Sequence, residues 1–433
     1  MAMKVETVST ETIRPSSPTK SNLKTFKISL LDQLAPPFYV PVVLFYSSAP
    51  SDINVSEKLK TSLSQTLSSF YPFCGRLKEN ASIDCSDQGA LFVEARARFP
   101  LSRVLTDPDI LGLQQFLPFP PYKLSSEEEV VLGVKVSFFE CGGVGIGVCI
   151  SHKIADGCSV AQFLISWAEA GLGIGSSSGF GPRLDASMIF PPKVVNFPMP
   201  AGVISDEKLV TKRFRFNGKG LAQLKAEFPG LKPTRVEAVT ALIWKTALEV
   251  VKIKPGGSGI YPPSAVTHIV NIRSRASPPL PEQTLGNLWQ SAVAPLMDMD
   301  KQAPQLHDLM ALLRKSIRRM NGDFVRELRE ENRLAKACES LMSARKLAST
   351  SGVRFELYRF SSWTRFPFYE ADFGWGRPAW VCTTSVPMKN VVILMGTGLE
   401  DEGIEAWVTL TEADMVKFEA YEALLQFVMP PSH

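Results

Sequence analysis

Histidines are the residues of this chain best suited to proton transfer near neutral pH, because imidazole titrates close to its unperturbed pKa of about 6.5. The chain contains four of them. His433 is terminal and is set aside. His307 lies in a polar helical pattern and His268 lies in a strand pattern, so ordinary structural roles are favoured for these two. His152 differs because it lies between two patterns and is followed four residues later by Asp156. A neutral imidazole in that position can accept a proton as a general base.

Two predicted elements must position His152. Residues 144–150 alternate large apolar side chains with Gly145, Gly147 and Cys149, which predicts a strand with one bulky face and one nearly bare face that another group can approach. Residues 160–167 resume a helical period. The residues between them therefore form a strand-to-helix junction, where we expect the chemistry to be located.

Apolar spacing predicts further elements along the chain. Predicted strands cover 27–34, 39–46, 265–272, 391–395 and 404–410, and predicted helices cover 55–70, 236–251, 305–319 and 324–346. The second half therefore reads as a mixed α/β domain. Parallel and antiparallel pairing are both compatible with these patterns.

The length of 433 residues exceeds that of one ordinary core and predicts two domains. A Gly/Ser-rich stretch at 171–181 and a proline-rich stretch at 190–200 are typical of an exposed connection. We expect an N-terminal domain of residues 1–200 that carries His152 and a C-terminal domain of residues 201–433, with the crossover at about 180–220.

Composition excludes several classes of partner. A net charge of +4 is nearly neutral for this length and predicts no nucleic-acid partner. Residues 1–24 lack the apolar core of a signal peptide, and apolar runs such as 36–46 are broken by prolines, so we expect a cytoplasmic protein without a membrane span. Seven cysteines without a Cys-x-x-Cys pair indicate free thiols and no metal site.

Two signatures together indicate a family. The run from His152 to Asp156, followed by Gly157, and the later segment Asp372-Phe373-Gly374-Trp375-Gly376 resemble the paired motifs of the plant BAHD acyltransferases. Further similarities follow in the order of the chain: Leu30-Leu31-Asp32, Tyr71-Pro72, Gly75-Arg76-Leu77, Arg235-Val236-Glu237-Ala238 with Trp244, Asn271-Ile272-Arg273 and Gly286-Asn287. The segment 39–46 is most similar to the branch that contains vinorine synthase and other acetyltransferases of alkaloids and related specialised metabolites.

The resemblance implies an α/β fold of two mixed-sheet domains of similar layout, like that of chloramphenicol acetyltransferase, with a solvent channel between them. It implies an acyl-CoA, expected to be acetyl-CoA, as co-substrate, with no permanently bound cofactor and no metal. A hydroxyl of an alkaloid or terpenoid is the expected acceptor. His152 is the expected general base, and no covalent acyl-enzyme is expected. The protein is expected to be a monomer.

The resemblance also implies roles for individual residues. Asp156 is expected to pair with Arg273 and to shape the loop that presents His152, although it can also be interpreted as the orienting carboxylate of a catalytic dyad. Asp372, Gly374, Trp375 and Gly376 are expected to form a structural loop that is remote from the site of the chemistry. Active-site lining is expected of Asn287, Ser361, Ser362 and Trp363. The donors that stabilise the oxyanion are not identified by the sequence.

Other functions remain as alternatives. A hydroxycinnamoyl-CoA or another acyl-CoA could serve a different alcohol or an amine, since acceptor pockets are built from scattered residues. Residues 175–179 match the Gly-x-Ser-x-Gly motif of serine hydrolases, but a helical pattern precedes them and a proline-rich stretch follows, where that motif needs a strand and a helix. A linker is the better interpretation. A non-catalytic member of the family is the third alternative.

Overall fold

The structure is a computed structural model that describes residues 3–50, 54–123, 129–174, 181–193, 203–252, 259–297, 304–350, 354–398 and 402–430. The serine-hydrolase motif at 175–179 and His433 lie outside these residues. The described chain divides into two compact units. The first comprises Met1–Met199, Pro281–Leu288 and Phe366–Thr384, and the second comprises Pro200–Leu280, Trp289–Arg365 and Ser385–His433.

The strands are β1 Val5–Ile13, β2 Thr25–Lys27, β3 Tyr39–Tyr46, β4 Arg76–Lys78, β5 Ser82–Asp84, β6 Ala90–Ala97, β7 Leu132–Phe139, β8 Val144–Ser151, β9 Leu209–Phe216, β10 Ser264–Asn271, β11 Trp289–Leu296, β12 Glu356–Ser362, β13 Trp380–Cys382, β14 Val391–Gly396 and β15 Ile404–Thr411. The helices are α1 Leu30–Leu34, α2 Val55–Ser69, α3 Ser102–Thr106, α4 Gly157–Gly171, α5 Ala186–Ile189, α6 Gly218–Ala226, α7 Arg235–Val251, α8 Leu306–Arg318, α9 Gly322–Glu327, α10 Arg333–Thr350, α11 Glu412–Glu419 and α12 Glu422–Leu425.

The first unit is built on a six-stranded sheet in the order β1-β6-β7-β8-β3-β13. The β6–β7 pair is parallel and the other neighbours are antiparallel, so the sheet is mixed. Strand β8 lies inside it. The bare face predicted for this strand is used by the protein itself, because a Cβ atom added at Gly147 would lie 1.9 Å from the carbonyl oxygen of Phe116. Glycine therefore admits the 3₁₀-helical segment Gly112–Phe116 against the sheet.

The second unit contains a six-stranded sheet in the order β11-β10-β12-β14-β15-β9. Strand β12 pairs in parallel with both β10 and β14, and the remaining pairs are antiparallel. Helix α7 packs the fully buried Trp244 into the core of this unit. Each unit thus has its own mixed sheet and its own buried core, which confirms the predicted fold class.

Most predicted elements are present with small shifts at their ends. The strand predicted at 39–46 is β3, the helix at 55–70 is α2, and the junction before α4 lies where it was expected. The helix predicted at 324–346 is divided into α9 and α10. The strand predicted at 27–34 is wrong in its greater part, because Ser29 and Asp32 form a capping box that begins helix α1.

Two segments from later in the chain belong to the first unit. Residues 281–288 lie beside the start of α4, and β13 extends the first sheet by pairing with β3. The Asp372–Gly376 segment, expected in the C-terminal domain, therefore lies in the first unit.

Among the described residues no helix is both long and apolar enough to cross a bilayer.

Candidate active site

His152 lies in the turn between β8 and α4, and the peptide groups on both of its sides are anchored. Register pairs Ser151, the last residue of β8, with Tyr39, the first residue of β3. The next step along both strands lets the N–H of His152 donate to the carbonyl oxygen of Phe38 at 2.7 Å. Its own carbonyl oxygen accepts a hydrogen bond of 2.6 Å from Nδ2 of Asn287. The half-buried imidazole is therefore carried by a fixed backbone.

Asp156 is the N-cap of α4. Its backbone is extended (φ −90°, ψ 177°), and Oδ1 accepts a hydrogen bond from the N–H of Ser159 at 2.8 Å. Oδ2 accepts a second bond, of 3.1 Å, from the N–H of Leu288. The carboxylate is buried and ties the first turn of α4 to the segment that ends at Leu288. Its expected pairing with Arg273, which lies in the second unit, stays a prediction.

Three consecutive residues, 286–288, are held by three side chains. The backbone N–H groups of Gly286, Asn287 and Leu288 are the donors. They donate to Ser159 Oγ at 3.1 Å, to Asp32 Oδ1 at 2.7 Å and to Asp156 Oδ2 at 3.1 Å, respectively. The Ser159 hydroxyl also donates to the carbonyl oxygen of residue 286 at 3.1 Å. These backbone amides are engaged within the protein, so they are not the donors for an oxyanion.

Asp32 belongs to this cluster, although the sequence interpretation assigned it no part in the site. It closes the capping box of α1, with Oδ2 accepting from the N–H and the hydroxyl of Ser29 at 2.8 and 2.6 Å. Oδ1 accepts from both the N–H and Nδ2 of Asn287, at 2.7 and 2.8 Å. The Ser-x-x-Asp spacing at the start of a helix was the signal that could have identified it.

Burial controls the charges in this cluster. It lowers the pKa of His152 below 6.5, and the nearby positive charge of Lys153 acts in the same direction. The negative charge of Asp156 and a hydrogen bond between the imidazole and the side chain of Asn287 oppose this lowering. Burial also lowers the pKa of Lys153 to about 8, against the attraction of Asp32. The Lys153 ammonium donates to the carbonyl oxygen of Gln33 at 2.9 Å. Because the pKa of His152 is lowered, its imidazole is mostly uncharged at neutral pH.

Four other predicted site residues lie in the second unit. Ser361 and Ser362 end β12, and Trp363 follows them with its indole Nε1 donating to Ser361 Oγ at 3.0 Å. All three are half-buried. Arg273 is fully buried and its N–H donates to Oδ1 of Asn271 at 3.0 Å. Their expected part in the active site stays a prediction.

The Asp372–Gly376 segment is a closed turn in the first unit. Asp372 Oδ1 accepts hydrogen bonds from the N–H groups of Gly374 and Gly376, at 2.7 and 2.9 Å. Both glycines have positive φ values, +101° and +96°, which the turn requires. Trp375 stacks on the buried Phe373 with ring centroids 5.6 Å apart. These contacts give the segment a packing function inside the first unit.

Comparison with known proteins gives matches over nearly the whole chain. A sequence model described as the transferase family matches residues 3–425. Stemmadenine O-acetyltransferase from Catharanthus roseus is 38% identical over 96% of both chains, and limonoid 1-O-acetyltransferase from Citrus sinensis is 37% identical over 98% of both. Vinorine synthase from Rauvolfia serpentina is 39% identical over 96% of both chains.

The chain belongs to the BAHD acyltransferase family. It is an enzyme, and the resemblance to the vinorine synthase branch is confirmed. A crystal structure of vinorine synthase matches this BAHD chain with a TM-score of 0.83 at 37% identity, covering 98% of each. The predicted architecture of two mixed-sheet domains is thus also that of a solved relative.

Proposed function

We propose that this BAHD enzyme transfers the acetyl group of acetyl-CoA to a hydroxyl of an alkaloid or terpenoid specialised metabolite, with His152 as general base. The relatives named above as acetyltransferases support the donor and the class of acceptor. The observation that carries the role of His152 is its geometry: both peptide groups beside the imidazole are hydrogen-bonded and burial lowers its pKa.

The proposed step needs one proton acceptor and no covalent intermediate on the protein. As the acceptor oxygen forms a bond to the thioester carbonyl carbon, His152 takes the hydroxyl proton. The tetrahedral intermediate then expels the thiolate of coenzyme A by breaking the C–S bond, and the imidazolium returns the proton to that sulfur. The products are an ester and free coenzyme A. General-base catalysis of this kind contributes about 10²- to 10⁴-fold to the rate.

Asp156 and Asn287 act in this proposal by holding His152 and the turn around it, and they do not take part in proton transfer. Both hydrogens of the Asn287 amide nitrogen are donated, to Asp32 and to the carbonyl oxygen of His152. This engagement favours a positioning role over direct contact with the oxyanion. The family pattern leaves Ser361, Ser362 and Trp363 as proposed lining residues.

We further propose that acyl-CoA is a co-substrate and that no cofactor is permanently bound. The proposed partners of the protein are the acyl-CoA and a small-molecule alcohol, with no nucleic acid and no membrane. The protein is proposed to act in the cytoplasm as a monomer. The nearly neutral net charge of +4 supports the absence of a nucleic-acid partner. Seven cysteines without a Cys-x-x-Cys pair are typical of free thiols, which supports the cytoplasmic location.

The test is the release of free coenzyme A by the purified protein with acetyl-, malonyl- and hydroxycinnamoyl-CoA, each with a panel of alkaloid and terpenoid alcohols. Wild type is compared with His152→Ala, and His307→Ala serves as the control because His307 is exposed on α8. We expect acceptor-dependent release that is fastest with acetyl-CoA and is lost only in His152→Ala. Release that is independent of an acceptor and persists in His152→Ala would overturn the proposal.

A further inference from the structure

We propose that Asp32 is a positioning residue for acyl transfer, because its carboxylate holds Asn287 and Asn287 holds the carbonyl group of His152. The inference rests on the proposed role of His152 as general base and concerns what fixes that base in place. Asp32 acts through Asn287, so it is not itself a catalytic residue.

The contacts from Asp32 to His152 pass through one side-chain amide. Nδ2 of Asn287 lies 2.8 Å from Oδ1 of Asp32 and 2.6 Å from the carbonyl oxygen of His152. A carboxylate and a backbone carbonyl are both acceptors, so the nitrogen of the amide must face them and both of its hydrogens are used. Asp32 and Asn287 are buried, with 2% and 1% of their surface exposed. The orientation of Asn287 is therefore determined by its two acceptors.

Asp32 is itself held firmly. Its Oδ1 accepts from the backbone and the side chain of Asn287, and its Oδ2 accepts from the backbone and the hydroxyl of Ser29. Burial raises the pKa of Asp32. The four hydrogen bonds that its carboxylate accepts favour the ionised form and therefore oppose this rise. Because Ser29 caps α1, the cluster connects the start of that helix to the peptide beyond His152.

Losing this connection removes one of the two anchors of His152. Its N–H stays bonded to the carbonyl oxygen of Phe38, but the peptide group between His152 and Lys153 then depends on the longer bond, of 3.4 Å, from the N–H of Lys153 to Ser151 Oγ and rotates more easily. The imidazole moves with that peptide. A displacement of about 1 Å in a reacting group costs about 100-fold in rate. The loss is therefore expected in kcat and not in KM.

Two variants remove the connection at different points. Asp32→Asn keeps the size of the side chain but replaces one acceptor oxygen by an NH2 group, which can only donate. That NH2 group must point at the donors of either Asn287 or Ser29, so one of the two contacts is lost. Asn287→Ala removes the contact with His152 directly. We expect each to lower kcat about 10- to 100-fold with KM for acetyl-CoA and alcohol changed less than about twofold.

The double variant is the decisive arm. If Asp32 acts through Asn287, adding Asp32→Asn to the Asn287→Ala variant lowers kcat by less than about twofold more, because the two residues form one unit.

Glu237→Gln is the matched control, since Glu237 closes the capping box of α7 in the second unit as Asp32 closes that of α1. Its kcat is expected to equal that of wild type.

A readout of His152 separates positioning from a general loss of structure. A hydrogen bond between the imidazole and the side chain of Asn287 raises the pKa of His152, so both variants, which remove or displace Asn287, are expected to shift the titration of His152 to lower pH. NMR of protein labelled at histidine measures this, because the chain has four histidines and His152→Ala identifies the signal. Circular dichroism and thermal unfolding verify that each variant is folded.

Different results overturn the two proposals. Turnover retained by His152→Ala overturns the general base. Turnover lost in His152→Ala but unchanged in folded Asp32→Asn and Asn287→Ala overturns the positioning role alone. Losses in the two single variants that multiply in the double variant, or an unchanged His152 titration, also overturn the positioning role.

Discussion

The carbonyl oxygen of His152 accepts a hydrogen bond of 2.6 Å from the side-chain nitrogen of Asn287, although the two residues are 135 positions apart in the chain. The contact joins the junction after β8 to the segment 281–288, which returns to the first unit from the second half of the sequence. The proposed base is therefore held by a tertiary contact as well as by its own strand and helix.

The acid limb of the pH profile should reflect the lowered pKa of His152. Burial lowers this pKa below 6.5, so the neutral base persists to more acidic pH than in an exposed histidine. We expect kcat/KM to be constant above 6.5 and to fall at lower pH, as the imidazole becomes protonated. Steady-state rates over a pH series check this, and a limb whose midpoint lies above 6.5 would contradict it.

Two substitutions should move that acid limb in opposite directions. The negative charge of Asp156 raises the pKa of His152, so Asp156→Asn should move the limb to lower pH while Asn still caps α4. The positive charge of Lys153 lowers the same pKa, so Lys153→Met should move the limb to higher pH. The same pH series measures both, and shifts of equal sign would refute the electrostatic account.

Gly286→Ala should damage both folding and turnover. Gly286 has φ +135°, which L residues rarely adopt, and an added Cβ atom would lie 3.3 Å from both Ala186 Cβ and Asp32 Oδ1. We expect a loss of about 1–3 kcal/mol in the free energy of unfolding from backbone strain, and a lower kcat because Asp32 is displaced. Denaturant unfolding and steady-state kinetics measure the two effects.

Gly142→Ala is the control for that experiment. Gly142 also has a positive φ, +82°, but an added Cβ atom would meet no atom within 4 Å. It should lose about 1 kcal/mol of stability and keep the kcat of wild type. Equal kcat values in the two variants would show that the Gly286 segment does not position the site.

The local part of the site could be predicted from the sequence. Alternation in 144–150 and helical spacing after it were sufficient to place His152 between β8 and α4, because both patterns arise within one short stretch of chain. The same reasoning failed at α1, since an apolar run conceals the capping box of Ser29 and Asp32. It also missed β1, whose mostly exposed residues form the edge of the first sheet.

The tertiary part could not be predicted in this way. Asp32, Asp156 and residues 286–288 come together because the later segment 281–288 returns to the first unit. No periodicity in the sequence reports such a return. The family resemblance did indicate that Asn287 belongs near the site, but only the structure shows which atoms it holds.

Lys153 should make stability depend on pH in the alkaline range. Its pKa falls from 10.5 in the unfolded chain to about 8 in the folded protein, so between these values the unfolded chain binds the extra proton. The free energy of unfolding should therefore rise with pH across this range on account of Lys153, by up to about 3 kcal/mol. Lys153→Met should lack that rise.

Urea unfolding of both proteins at several pH values between about 8 and 10.5 measures the difference. Lys153→Met also removes the hydrogen bond to the carbonyl oxygen of Gln33, which lowers stability equally at every pH. The pH dependence of the difference is therefore the informative quantity. A difference that stays constant would show that Lys153 titrates normally.

Asp372→Ala should lower stability and leave the chemistry of the folded enzyme intact. The substitution removes the acceptor for the N–H groups of Gly374 and Gly376, which holds Trp375 stacked on Phe373. We expect a loss of about 1–2 kcal/mol in the free energy of unfolding, with kcat within about twofold of wild type. Asp372→Asn keeps an oxygen that accepts both bonds, so it should lose much less. A fall in kcat without a fall in stability in Asp372→Ala would place this turn in the chemistry and contradict its packing role.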